Sequence, residues 1–275
     1  MRIAVALLLL LGAREAPRTQ APERAPEPSP AGAPLDDLKL ALAAHKITLE
    51  PALEACAIPA RVLVREDSLE YVLVNRSGNA HESLFVTEVE ASQLNVALLA
   101  LGARPGKNAL WTARDPAPKR EELLAGAPAY DVRTPEGDGF CLYVGWKEND
   151  ELFFFRLEDL VRNLQSGRSM QRHVWVYLGS RSVPSREDPS RPLFLADLEG
   201  NLVNLCFFEA GSTLLTGALP ECLQQNIWLP NAPLLPPSGE PVLFVFSRRR
   251  LSSCPEALLA QLPSVGSPKE APNER

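Results

Sequence analysis

The chain of 275 residues contains three histidines, none at the H-x-x-x-H or H-E-x-x-H spacing that puts two metal ligands on one helix face. Its five cysteines, Cys56, Cys141, Cys206, Cys222 and Cys254, include no C-x-x-C pair, which removes zinc-ribbon, redox-motif and iron–sulfur readings. No serine sits in a G-x-S-x-G elbow, so the usual way of holding a serine nucleophile exposed is missing too. Positive charge is not in excess: 28 Lys and Arg against 34 Asp and Glu leave a net charge of -6. A nucleic-acid partner, whose phosphates need a basic face, is therefore not expected. The run Arg248, Arg249, Arg250 is the local exception, and it reads as the solvated end of a strand.

The apolar run at residues 3–11 falls short of the roughly 20 residues a bilayer-spanning helix needs. With Met1 and Arg2 before it and Gly12 and Ala13 after it, residues 1–15 read as a secretory signal peptide. The expectation is a soluble, secreted or periplasmic product with no stable membrane span once the signal is removed. No cysteine follows the run to carry a lipid. In an exported chain one or two disulfides are expected, with an odd thiol left over. Residues 16–34, rich in Pro, Ala and Glu, have nothing to bury and read as a disordered linker; residues 35–262 read as the globular part and 263–275 as a disordered tail.

Within the globular part, residues 91–101 give the clearest helix, with Leu94, Ala97, Leu98 and Leu101 on one stripe and Gly102 as a stop. Its start fits a cap by Ser92 or a capping box of Thr87 with Glu90. Further helices are expected at 35–44 and 157–165, and a short one after Pro255. Alternating apolar residues predict hairpins at 61–74, 140–156 and 193–208, and strands at 81–87, 174–178 and 241–246. With no alternating strand–helix rhythm, the fold class expected is α+β: a mainly antiparallel sheet built from hairpins, with about three short helices.

The stretch HESLFVTEVEASQLNVALLALG at residues 81–102, together with FCLYVGW, WVYLGS and ADLEGNLVNL, resembles the YdjY-domain family, a group of bacterial proteins often exported. The likeness extends from about residue 46 to 247. It implies a bacterial envelope setting and no established activity. Some relatives are associated with a ferredoxin-type cysteine cluster, which this chain lacks.

Reactive side chains concentrate at His81, Glu82 and Ser83, with Arg76 close by in the preceding loop, and these four form the candidate binding patch. On a strand, His81 and Ser83 share a face and Glu82 points away, so the three cannot form a relay. A hydrolase or divalent-metal site using His81 and Glu82 would have to bring in His173, Ser180 or Asp197. The blander expectation pairs Glu82 with Arg61 or Arg76. Trp146 and Trp175, inside apolar strands, are expected in the core, and Trp111 and Trp228, in loops, nearer the surface. The reading is a non-catalytic binding or structural module with no cofactor and no metal, whose partner is a protein or a small molecule.

Overall fold

In the computed structural model, which describes residues 33–266, eight strands close into a barrel. They are β1 (Ala55–Val62), β2 (Tyr71–Val74), β3 (Ser83–Val86), β4 (Gly139–Glu148), β5 (Trp175–Tyr177), β6 (Asn201–Asn204), β7 (Leu215–Thr216) and β8 (Pro241–Ser247). Hydrogen bonding runs β1–β8–β4–β5–β7–β6–β2–β3, and β3 returns to β1 through Arg61↔Val86 and Val62↔Phe85. Three short strands lie on the outside: Thr48–Glu50 against β1, Glu151–Arg156 and Ser264–Val265 against β4.

This overturns the expected hairpin-built α+β sheet: the fold is mostly β and closed. The physical reason is that period-two alternation identifies strands without saying which of them pair. The residues expected to form a hairpin at 61–74 belong to β1 and β2, which do not touch in the sheet, because β3 lies between them. β2 and β3 pair in parallel, as do β6 and β7. Parallel neighbours usually need a crossover of about a dozen residues or more; strands as short as Tyr71–Val74 let the loop at 75–82 make the return. The hairpin expected at 193–208 is also replaced. Leu195–Glu199 forms a helix closed by Gly200 at φ +69°, and Leu193–Phe194 pairs with Ser182–Val183. A Cβ on Gly200 would collide with Asn75 and Gly78, so this glycine is what lets the 75–82 loop close down. The hairpin at 140–156 forms as expected, with β4 against Glu151–Arg156.

Alternation along the longest strands divides their side chains between two cores. From β1, Cys56, Ile58, Ala60 and Val62 enter the main core, as do Phe140, Leu142, Val144 and Trp146 from β4 and Val242, Phe244 and Phe246 from β8. The intervening Ala57, Cys141, Tyr143, Leu243 and Val245 face outward under Cys254, Leu258 and Leu262. An eight-stranded barrel is just wide enough for side chains to fill, and this one encloses packed apolar residues.

Helix α1 (Ala33–Ala44) begins within the stretch assigned to a linker, and Ser264–Val265, assigned to a tail, adds to the sheet. Helix α2 (Ala91–Ala100) buries Ala91, Leu94, Ala97 and Leu98. Its cap is remote from it in sequence, because the Asp197 carboxylate accepts the Ser92 N–H at 2.9 Å. Residues 157–165 form only a 3-10 turn, Leu157–Leu160, before Val161–Asn163 pairs with Trp228–Pro230. That pairing buries Trp228 instead of exposing it, whereas Trp146 and Trp175 are core as expected. All five cysteines are free and buried, so the expected disulfides are not formed; burial pushes the Cys222 thiol up to about 12. The expected signal peptide at 1–15, nearly all of the expected linker at 16–34 and most of the expected tail lie outside the described residues.

Candidate functional site

The loop between β2 and β3 carries Arg76, His81 and Glu82, and Ser83 opens β3, so the four residues singled out by sequence are split. His81 and Glu82 lie on a 3-10 turn, Ala80–Glu82, ahead of β3 instead of within the strand. His81 Nε2 is 3.8 Å from Glu82 Oε1, and the imidazole is exposed. Ser83 is fully buried and donates to the Asn79 carbonyl at 2.5 Å, so its hydroxyl holds the turn. Arg76 points elsewhere and meets Glu88 at 2.5 Å. The expected partners of Glu82 are thus engaged by others: Arg76 by Glu88, and Arg61 by the Gly239 carbonyl at 3.0 Å.

The residues that a catalytic or metal reading would recruit are engaged locally. Ser180 donates to the Ser212 carbonyl and accepts the Ala196 N–H, and Asp197 caps α2. His173 stands against Glu158 and Trp175. Each of these residues has a local structural partner, and among the described residues no three His, Cys, Asp or Glu side chains gather at metal-binding distance.

Arg76 does open onto a cleft. Its floor, of Pro59, Val86 and Pro241, lies where β1, β3 and β8 meet, and the cavity measures about 300 Å³. Around it stand Lys46, Arg61 and Arg76, with Glu88 held between two of them: Lys46 Nζ at 2.7 Å and Arg76 at 2.5 Å. Hydrogen bonds from Lys46 and Arg76 lower the Glu88 carboxyl to about 2. The clamp is nevertheless in water, with the Lys46 and Arg76 side chains 61% and 77% exposed. Exposed pairs of this kind contribute little to stability. A second cleft of about 330 Å³ shares Lys46, Pro59 and Pro241 and continues to Gln261 and Pro263, so the two form one groove across the outside of the barrel.

Sequence reading missed another polar centre. Arg156, at the end of the strand Glu151–Arg156, meets Glu158 through two hydrogen bonds of 3.0 and 2.6 Å, with Glu158 fully buried. Glu158 also accepts the His173 backbone N–H and the Trp175 indole N–H, both at 3.2 Å. Burial works against the Arg156 charge, but the Glu158 bond and attraction outweigh it and leave its pKa raised. Next in sequence, Asp159 grips Arg172 through bonds of 3.1 and 2.6 Å. Two acidic neighbours thus hold a cation each, and the dipeptides at 158–159 and 172–173 were the available signal. The Arg248–Arg250 run gave another. Arg248 reaches Asp138 at 3.4 Å and Arg249 reaches Glu54 at 2.7 Å, and among the described residues Arg250 has no ion-pair partner.

The family model of the YdjY domain matches residues 54–247. That match spans the whole barrel from β1 to β8 and includes both polar centres except Lys46 and Arg250. No curated protein and no solved structure matches the chain.

Proposed function

Since the chain belongs to the YdjY domain family, we propose that it serves as an exported, non-catalytic binding module of the bacterial envelope, and that the groove beside Arg76 takes an acidic segment of a partner protein. The reading is carried by one observation: Lys46 and Arg76 grip a single exposed carboxylate, Glu88, at the head of a groove floored by apolar strand residues. A side-chain carboxylate held in this way marks where a partner's carboxylate would sit. Because the clamp is solvated, exchanging Glu88 for another carboxylate costs little. Apolar side chains next to the partner's acid would meet Pro59, Val86 and Pro241, and Arg61 adds a third positive charge at the rim. Export is supported by the signal-like residues 1–15 and the envelope setting that the family resemblance implies.

The test is binding of a fluorescent Glu-rich peptide, followed by anisotropy at fixed ionic strength. Arg76→Glu should abolish saturable binding and leave the melting temperature unchanged. Equal binding by that variant and the parent would refute the assignment of this groove.

A further inference from the structure

We propose that a separate pocket, bounded by Arg156, Arg172, His173, Arg250 and Tyr143, binds a small oxyanion of the phosphate or phosphomonoester class. The pocket measures about 290 Å³, near the lower end of small-ligand sites, so the ligand is small. It lies on the outside of the barrel, where Tyr143 of β4 and the segment after β8 meet the strand ending at Arg156.

Three observations lead to this ligand. First, two of the guanidinium groups are held in place by carboxylates. Arg156 is tied through Nε and Nη2 to Glu158, and Arg172 through Nε and Nη2 to Asp159. Among the described residues the Nη1 group of each makes no hydrogen bond, so each presents an oriented donor to an oxyanion. Second, Arg250 lines the same pocket and brings a charge that no carboxylate neutralises among the described residues. Third, the His173 side chain is only 8% exposed, yet its Nε2 has no hydrogen-bond partner, while Nδ1 faces the Gln171 carbonyl at 3.2 Å. A buried, unpartnered imidazole nitrogen costs free energy unless something uses it. The paired carboxylates are consumed by Arg156 and Arg172, so what remains for a ligand is one uncompensated guanidinium, two oriented donors and a titratable ring.

The pocket is fixed before the ligand arrives, because Glu158 and Asp159 already set the two arginines. Charged groups around the imidazole are Glu158, Arg156 and Glu221, with Arg172 and Arg250 across the pocket. Burial lowers the His173 pKa and Glu158 partly offsets that, so the fold favours the neutral ring. A bound oxyanion favours its protonated form, and binding then takes up a proton.

Isothermal titration of the full chain with inorganic phosphate and glycerol phosphate, at constant ionic strength, tests the site. Saturable binding is expected, weakened at least tenfold by Arg250→Gln and left unchanged by Arg76→Gln, which separates this pocket from the groove above. Sulfate, whose charge is the same at pH 6 and pH 8, should bind more tightly at pH 6. In a His173→Gln variant with an unchanged melting profile at pH 8, that pH difference should vanish. Absence of saturable binding, or equal binding by Arg250→Gln and the parent, would overturn the proposal.

Discussion

Glu88 and Glu158 are each gripped by cations at hydrogen-bonding distance, but one grip is in water and the other is in the core. Glu88 sits between Lys46 and Arg76 on an open groove, and Glu158 lies at zero exposure under Arg156, His173 and Trp175. The contrast shows that the chemistry of a pair does not decide its role. In water the two charges are screened and their contact is replaceable, so the pair can serve recognition. In the core each partner depends on the other, because neither can return to water without opening the structure.

The largest effect should come from breaking the buried grip. Glu158→Gln leaves the Arg156 charge, 9% exposed, without its counter-charge, and removing one partner of a buried pair costs about 3–5 kcal/mol. For a domain of this size that is a fall in melting temperature on the order of 10 °C. A fall no greater than that caused by Glu88→Gln would erase the distinction between the two sites. Next in size is Asp197→Ala, which strips the cap from α2 and should cost about 1 kcal/mol, read from denaturant unfolding.

Acid comes third. The His173 pKa is lowered in the fold from 6.5, by burial first, so the stability gained by keeping the ring neutral is complete above about 6.5. It declines as pH falls below that value toward the folded pKa. The melting temperature should therefore drop between pH 7 and pH 5, and less steeply in His173→Gln. The smallest effect concerns Glu88. Its carboxyl, lowered to about 2 by its two cations, makes its full contribution above the ordinary value of 4.5 and loses it progressively as pH falls from there through about 2. A side-chain NMR titration should give that midpoint, and Lys46→Gln should raise it.

How much of this was legible in the sequence follows from the range over which each signal acts. Helix α2 was readable because Leu94, Ala97 and Leu98 record its period locally. The β4 hairpin was readable because its strands are joined by a short turn. Closure was not, because β1 pairs with β8 across nearly the whole chain and β3 inserts between β1 and β2. Arg76 was identified, but its partner is Glu88 and not Glu82, since Ala80–Glu82 turns as 3-10 and sends those side chains away from it. The oxyanion pocket draws on residues 143, 156, 172, 173 and 250. Only the fold brings them together, although the Arg248–Arg250 run, set aside as a solvated strand end, contained one of them.

The most direct measurement of the recognition account is the affinity of the Glu-rich peptide for Glu88→Gln compared with the parent chain. If Glu88 holds the place of a partner's carboxylate, removing its charge frees Lys46 and Arg76 and binding should tighten severalfold. Unchanged or weaker binding would contradict the account.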